Sequence, residues 1–549
     1  MHLTTIPQNR ISGRLLAVIA LIAGLLWSIT LSGCSTTFIG EQEPDEPVAQ
    51  ILPTKLAIIH TGGIEGTYTR TPTTMGISAV ARIKSDLQEQ GYQVLLLDSG
   101  NSLGGNLATD IDRGESAVGF MNAAGYDALA LGRHELALGG KTLKKRMSQS
   151  SFAYLSANVL RADSQEVLSQ ANTTFKLDDG RLVGVFGLTT PGVKDQLGPL
   201  STGEMTFSYH TLEDLAQQQV NDLHSQGCRL IVCLANLGFD EQGLPRANQV
   251  VSQVSGIDVL LDASTGETAS INVADASGDN TLVVETASRL TSASIVCWEM
   301  GELSVRGTDP RQAQKLDEQV SALVTQSIDD LDKRLGRVVT TSREAMMTDR
   351  PQSDSTGLGQ LAADAILWDA SQGMGKSPDA AIITAASLTG QLPQGNVTQL
   401  DAMTALSPAT TRLCLVETTG AQLQTVLAPL LAHSEPSSDM PQIAGIQLEE
   451  TPAGEGQQPT RTIKQVGGRA FSPTDTYTIV TFEPLVAGAG SLDALYANGS
   501  AITDPESCGG KALADYLSHE CKDGIPERYY PPRQEETPAE APTEAPAEG

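Results

Sequence analysis

The sequence predicts an α/β protein with two domains, and three observations support that prediction. First, runs of Val, Ile and Leu alternate with amphipathic helical segments from Leu56 onward. Strands that are apolar on both faces and joined by helices are typical of sheets buried between layers. Second, the 549 residues are enough for two to four domains. Third, one long polar-faced helical segment between residues 309 and 335 divides this pattern into two halves.

The chain opens with the features of a secretory signal. Arg10 and Arg14 precede the apolar run LLAVIALIAGLLWSITL, and LSGC follows at residues 31–34. A basic segment, a short apolar run and small residues in this order are typical of a cleaved signal peptide. The run is barely long enough to span a bilayer, so an uncleaved transmembrane helix is the less favoured alternative. The LSGC ending resembles the bacterial lipobox, which implies a signal peptide over residues 1–33 and lipidation of Cys34.

The predicted location is the bacterial cell envelope. Residues 34–54 are polar and predict a flexible tether. Ser35 follows Cys34, whereas an aspartate at that position is associated with retention in the inner membrane. We therefore expect a lipid anchor on the periplasmic or surface side of the outer membrane, with the outer face of the plasma membrane as the alternative. The membrane is thus one expected partner, reached through lipidated Cys34.

The charge balance limits the other partners. The chain has 36 basic and 65 acidic residues, a formal net charge of −29. Such a field repels nucleic acid, and a small anionic ligand would need a local cationic centre or a metal. Six cysteines remain besides Cys34, and none forms a Cys-x-x-Cys pair, which argues against a thiolate zinc site. Cys228 and Cys233 are expected to face opposite sides of one strand.

The first domain is predicted over residues 55–305. Its segments, in order, are the strand KLAIIHT, the helix GISAVARIKSDLQEQG, the strand YQVLLLDSG, the helix ESAVGFMNAAG, the strands YDALALG, FAYLSANV and RLVGVFGLTT, the helix TLEDLAQQQVNDLHSQG, and the strands CRLIVCLANLG and GIDVLLDAS. A connector helix is predicted over 306–335 and a second α/β domain over 336–524. The Pro, Glu and Ala repeats of 525–549 predict a disordered tail.

Short segments at the ends of these strands resemble the bacterial periplasmic 5′-nucleotidase family. The resemblance rests on IIHTGGIEG, GYQVLLLDSGNSLGG, MNAAGYDALALGRHEL, FAYLSANV, VGVFGLTTPGV and GIDVLLDAS in the first domain, and on TGLGQLAADA, TTGAQLQTVL and DTYTIVT in the second. Their order covers nearly everything between the tether and the tail. The resemblance implies an N-terminal four-layer metallophosphoesterase-type sandwich, joined by the long helix to a C-terminal 5′-nucleotidase-type domain.

The family's chemistry uses two divalent metals that clamp a phosphate and generate a hydroxide. The resemblance also implies which positions hold these metals, and the residues there have lost the donor groups. Those positions are Gly63, Glu65, Asn101, Arg133, Asn236, Ser264 and Gly266. His134, the family's catalytic histidine, persists with Glu135. Ala137 stands where the family has the aspartate that orients the imidazole.

This residue set argues against a metal centre. Neutral amides are poor substitutes for carboxylate and imidazole ligands, and an arginine has no lone pair to donate. We therefore expect no metal and no other cofactor. The hypothesis for Arg133 is that its guanidinium replaces the charge of a metal and pairs with Glu65 or Asp262.

Other residues that could bind a metal or act in catalysis lie in sequence patterns that favour a structural role. His60 lies within the first predicted strand, where a core histidine is commoner than a ligand. Asp222 and His224 match D-x-H, but on a helix of ~3.6 residues per turn they point about 200° apart. None of these groups predicts a second catalytic centre.

The second domain also lacks the residues with which the family binds the nucleotide. The resemblance implies an Asn-Gly-Gly-Gly-Ile-Arg loop that holds the ligand and two aromatic rings that sandwich the base. The corresponding positions here are Ala385, Thr389, Ala409 and Leu492. An arginine holds phosphate in a bidentate manner and each stacked base contributes on the order of 1–3 kcal/mol, so most recognisable nucleotide affinity is lost.

Three interpretations of function remain open at the level of the sequence. The leading one is a non-catalytic envelope lipoprotein, a pseudoenzyme of the 5′-nucleotidase family that binds a protein or a small molecule or serves as a scaffold. The alternative is a metal-dependent phosphoesterase of nucleotide catabolism with a rebuilt site, because fold alone does not establish chemistry. The third is a purely structural envelope protein.

Overall fold

The computed structural model describes residues 55–530, except 198–203, 240–242, 245, 264–265, 267, 347–356, 407–409, 432–436, 452–459, 487–490 and 497–500. The predicted signal peptide, Cys34, the tether and the chain beyond residue 530 lie outside the described residues, as do Ser264 and Ala409. None of the described helices combines the length and the apolar composition that a membrane span requires.

The first lobe, residues 55–308, is built on two six-stranded sheets. Its described strands are β1 Lys55–Thr61, β2 Tyr92–Asp98, β3 Ala128–Ala130, β4 Ala153–Leu155, β5 Val159–Arg161, β6 Asn172–Lys176, β7 Leu182–Thr189, β8 Met205–Phe207, β9 Cys228–Asn236, β10 Val259–Asp262, β11 Ala269–Ala274, β12 Asn280–Glu285, β13 Ala293–Glu299 and β14 Glu302–Thr308. The sheet orders are β14-β13-β1-β2-β3-β4 and β11-β12-β10-β9-β7-β6, and β5 pairs with β8.

Helices cover the outer faces of both sheets, which gives four layers. The described helices of this lobe are α1 Ile77–Glu89, α2 Leu107–Ile111, α3 Glu115–Ala124, α4 Arg133–Ala137, α5 Gly140–Gln149, α6 Leu212–Ser225 and α7 Arg246–Gln253. Alternate residues of β1 show the layering: Leu56 and Ile58 pack between the sheets, whereas Ala57 and Ile59 pack against the helices. The four-layer α/β fold predicted from the resemblance is confirmed.

A register shift in β9 changes the expected placement of its cysteines. Leu182 pairs with Cys228 but Val183 pairs with Leu230, so one extra residue lies in β9. This irregularity puts Cys228 in the same apolar layer as Cys233, outside the second sheet. The expectation that the two face opposite ways is therefore wrong. The cysteines of the described residues are free thiols.

The connector helix begins later than predicted. Strand β14 continues to Thr308, beyond the predicted end of the domain at 305, and helix α8 spans Glu318–Leu335. Asp317 sets the start of α8 because its side chain accepts a hydrogen bond from the backbone N–H of Val320. Val320 packs into the core of the first lobe and Leu335 into that of the second, so this helix belongs to both.

The second lobe, residues 336–530, surrounds a five-stranded sheet of order β19-β16-β23-β18-β24. Its described strands are β15 Val338–Ser342, β16 Ala380–Thr384, β17 Gly395–Thr398, β18 Arg412–Thr419, β19 Pro441–Ala444, β20 Ile446–Thr451, β21 Thr460–Val466, β22 Arg469–Ala470, β23 Thr476–Phe482 and β24 Ala501–Cys508. Its helices are α9 Gly357–Gly373, α10 Gln399–Thr404, α11 Gly420–Leu431 and α12 Gly509–Glu520. Buried clusters lie on both faces of the sheet.

The packed chain extends beyond the predicted boundary at residue 524. A short 3₁₀ helix spans Glu527–Tyr529, and Tyr529 and Tyr530 are buried in the core of the second lobe. The Tyr530 hydroxyl lies 2.9 Å from the Ser342 hydroxyl and accepts a 3.0 Å bond from the backbone N–H of Arg343. Residues 525–530 therefore belong to the second lobe and not to the tail, because two aromatic side chains anchor them.

His60 is a core residue, as the sequence predicts, and its burial leads to a pH-dependent stability. Its Nε2 lies 2.7 Å from the Ser99 hydroxyl, and its buried Nδ1 has no hydrogen-bond partner among the described residues. Burial lowers the pKa of His60 from 6.5 to about 3. As the pH falls below 6.5, His60 takes up a proton in the unfolded chain but stays neutral in the folded chain. Protonation therefore favours unfolding, and the free energy of unfolding falls between about pH 6.5 and 3.

We expect the His60→Gln variant to lose this contribution. Its free energy of unfolding should fall less steeply between about pH 6.5 and 4 than that of the wild type, by up to about 1.4 kcal/mol per pH unit. Urea unfolding of both proteins at each pH measures the difference, in which the contributions of other groups cancel. Parallel pH profiles would contradict the assignment.

Candidate functional site

The candidate site lies where strands of both sheets of the first lobe end. Strands β1, β2 and β3 are parallel, so their carboxyl ends share one edge. Strands β9 and β10 are likewise parallel in the second sheet. Ends of parallel strands are the usual place for a site in α/β folds. The residues that the resemblance selects follow these strands: Gly63, Glu65, Asn101, Arg133, Asn236 and Gly266.

Two of these residues bond to each other across the two sheets. The Asn101 side chain donates its amide N–H to Oδ1 of Asn236 at 3.4 Å, and Asn236 donates to the backbone oxygen of Ser99 at 2.9 Å. Oδ1 of Asn101 accepts a bond from the backbone N–H of His134 at 3.2 Å. The amide groups of Asn101 and Asn236 are thus committed to protein partners.

The carboxylate of Glu135 holds the surrounding loops in place. It is fully buried and accepts hydrogen bonds from the backbone N–H groups of Asn101, Ser102, Leu103 and Gly132, at 2.8 to 2.9 Å. Hydrogen bonds to an ionised acceptor are stronger than those between neutral groups. Glu135 therefore joins the loop after β2 to the start of α4, and its role here is structural.

Arg133 lies beside His134 instead of a carboxylate. Its Nη2 is 3.1 Å from Nε2 of His134, and its side chain is exposed. Glu65 forms its ion pair with Arg289 at 2.7 Å, and no described carboxylate lies within ion-pair distance of Arg133. The hypothesis that Arg133 pairs with Glu65 or Asp262 is therefore wrong. Burial lowers the pKa of His134, and the charge of Arg133 lowers it further.

The residues of this site do not fit two divalent metals. Among the described residues, no three His, Cys, Asp or Glu side chains are grouped so that they could hold a metal ion. The amides of Asn101 and Asn236 bond to protein groups, Glu65 is neutralised by Arg289, and Arg133 offers no lone pair. A dication here would have to break these contacts and approach a guanidinium.

The second-lobe positions that the resemblance selects for nucleotide binding are buried or bonded to other protein groups. Ala385 is buried and donates its backbone N–H to the Met440 oxygen at 2.9 Å. Thr389 is exposed, but its backbone N–H is bonded to the Ala405 oxygen at 3.2 Å. Leu492 is fully buried in the apolar cluster of this lobe, so it offers no surface on which a base could stack.

A cavity of about 520 Å³ separates α4 from the second lobe. Its charged lining consists of the cations Arg113, Arg133, Arg334, Arg412 and Lys511 and the acids Asp110, Glu483 and Asp515, with His134 beside them. Arg412 is paired with Glu483 and Lys511 with Asp515, so the lining carries a small excess of positive charge, a local exception in a strongly negative chain.

Arg412 joins the two lobes at this cavity. Its Nη2 donates to the backbone oxygen of Ala137 in α4 at 2.6 Å, and its Nε lies 3.1 Å from a carboxylate oxygen of Glu483. Leu107 and Ile111 of α2 also pack against the core of the second lobe. No sequence motif marks Arg412, and its partner Ala137 lies 275 residues away along the chain.

Comparison with known proteins finds similarity to 5′-nucleotidases. A model described as the 5′-nucleotidase C-terminal domain matches residues 337–496. The chain is 28% identical over 227 residues to the 5′-nucleotidase of Diplobatis ommata, covering 39% of this chain and 38% of that relative. It is 28% identical over 236 residues to the 5′-nucleotidase of Vibrio vulnificus, covering 42% and 41%. The matched part spans about two fifths of the length of these relatives.

Solved structures share the fold over most of the chain. The 5′-nucleotidase precursor from Thermus thermophilus aligns with a TM-score of 0.53 and 20% identity, covering 86% of this chain and 97% of that one. The NAD nucleotidase of Haemophilus influenzae aligns with a TM-score of 0.52 and 17% identity, also covering 86% and 97%. At these identities the likeness shows the two-domain fold.

The Glu135→Gln variant tests the structural role of this carboxylate. A glutamine amide would turn N–H donors towards backbone donors and leave some of them without an acceptor. We expect the free energy of unfolding to fall by about 2–4 kcal/mol. Glu520→Gln, an exposed position at the end of α12, is the matched control and should change it by less than about 0.5 kcal/mol. Equal stability of the two variants in urea unfolding would disprove the role.

Proposed function

The chain belongs to the 5′-nucleotidase family, and we propose that it is a non-catalytic member of it. In this proposal it keeps the two-lobed fold as a binding or scaffold protein of the bacterial envelope, anchored through lipidated Cys34. The secretory signal and the LSGC ending of the sequence support that location. The cationic cavity between the lobes supports a binding role, with an anionic small molecule or an acidic protein segment as the ligand.

The observation that carries the proposal is the hydrogen bond between Asn101 and Asn236. Two positions that would supply anionic or imidazole donors are occupied by neutral amides that bond to each other. Arg133 adds a permanent positive charge at a third position. Arg133, beside His134, could pair with a phosphate, but a guanidinium has no free lone pair and cannot generate the hydroxide that two metals supply in the family's chemistry.

We expect the purified protein to lack metal-dependent phosphatase activity. Incubated with manganese, zinc or cobalt, it should hydrolyse AMP and p-nitrophenyl phosphate no faster than the His134→Ala variant. Elemental analysis after dialysis should find no stoichiometric metal. Turnover that needs metal and disappears in the His134→Ala variant would instead establish the alternative, a phosphoesterase with a rebuilt site.

We also expect neither AMP nor adenosine to raise the melting temperature. A ligand at about 100 times its Kd stabilises a protein by ~2.7 kcal/mol, so even a Kd of about 10 μM would be visible at about 1 mM. The physical reason for the expected result is the burial of Leu492 and the absence of an arginine in the segment 385–390. Differential scanning fluorimetry with inorganic phosphate as a control measures it, and a shift specific to the nucleoside would contradict the loss of the base site.

A further inference from the structure

The first lobe contains a second cavity that shares no lining residue with the cavity between the lobes. Its volume is about 710 Å³, within the range of ~300–1,000 Å³ that is usual for small-molecule sites. It opens between α5, strand β4 and the segments 161–163 and 168–170. None of the residues that the resemblance selected lines this cavity.

The floor of this cavity is aliphatic and continuous with the core of the first lobe. Leu143 is fully buried, while Met147 and Leu168 are partly exposed and pack against the same core. Phe152 and Tyr154 also contribute, but they are buried and their rings stack on each other, with centroids 5.2 Å apart. Because the two rings are buried and stacked on each other, the surface that remains for a ligand is flexible and aliphatic.

The rim of the cavity is cationic. Lys141 and Lys144 are exposed, lie three residues apart on one face of α5, and form no ion pair with any described residue. The third cation, Arg161, is held by Asp163 through two hydrogen bonds of 3.2 Å each. The remaining acid, Glu204, accepts the backbone N–H of Lys141 at 3.1 Å. The charges of the two lysines are therefore the ones available to a ligand.

We infer that this cavity binds an anionic amphiphile, a molecule with a carboxylate or phosphate head and a single aliphatic chain. The chain would cover Met147 and Leu168 and remove their apolar surface from water. The head would lie at the rim, where Lys141 and Lys144 supply charge-assisted hydrogen bonds. This site is independent of the proposed function, because it shares no residue with the degenerate centre.

A free fatty acid and an anionic lipid in a membrane offer the same chemistry, so the experiment has two arms. In the first, isothermal titration calorimetry of the full-length protein uses decanoate, with acetate and 1-decanol as probes that lack the chain or the charge. In the second, sedimentation with phosphatidylglycerol vesicles tests the membrane source. We expect saturable decanoate binding, and much weaker binding of acetate and decanol.

Variants on α5 assign the binding to this cavity. Lys144→Ala should weaken decanoate binding about tenfold, and Met147→Trp, which fills the cavity, should abolish it. Lys145→Ala is the matched control, because Lys145 is an exposed neighbour on the same helix that does not line the cavity. Lys144 is exposed, so its removal should leave the melting temperature of the free protein unchanged.

Three outcomes would overturn the inference. They are the absence of saturable decanoate binding, an equal loss of affinity in Lys144→Ala and Lys145→Ala, and vesicle binding without decanoate binding, which would indicate adsorption by surface charge. Vesicle binding that accompanies decanoate binding and is lost in Met147→Trp would support the inference and identify a membrane lipid as a source.

Discussion

The geometry of the degenerate site depends on one buried carboxylate. Glu135 accepts four backbone N–H groups and thereby fixes both the loop after β2 and the first residues of α4. An anion held by several backbone donors orders a loop without any metal. The loops around the site are therefore held in place by the contacts of one side chain. Within this frame Asn101 faces Asn236 across the two sheets and donates a hydrogen bond to it.

The electrostatics of the site follow from that arrangement. Once carboxylates and imidazoles are replaced, two dications would face an uncompensated field, and a fixed guanidinium would add repulsion. Arg289 neutralises Glu65, the remaining acid among the positions that we compared, and Arg133 lies against His134. The pKa of His134 is lowered by burial and by Arg133, which favours a neutral imidazole. Each of these contacts disfavours a cation in the same small volume.

The sequence predicted the layers well and the long-range contacts poorly. Local periodicity identifies strands such as β1 and β2 because apolar runs between helices have few other interpretations. Periodicity predicted too early a start for α8. The helix begins after Asp317 because the side chain of Asp317 caps it, and a periodic pattern does not reveal that contact. The pair of Glu65 and Arg289 joins residues 224 apart, and no local pattern encodes such a contact. The extra residue in β9, which places Cys228 on the same side of the sheet as Cys233, could not be predicted either, because it depends on the pairing of β9 with β7.

The contacts between the lobes hold the cleft in one arrangement. Arg412 reaches from the second lobe to the last residue of α4, the helix that Glu135 anchors, and Leu107 packs against the core of the second lobe. Separating a partly buried guanidinium from both a carboxylate and a carbonyl partner is costly, because each group would lose its hydrogen bond. Protein groups thus hold the two lobes together at the rim of the cavity between them. Such a cleft suits a binding or scaffold protein, whose cationic walls keep their arrangement when the site is empty.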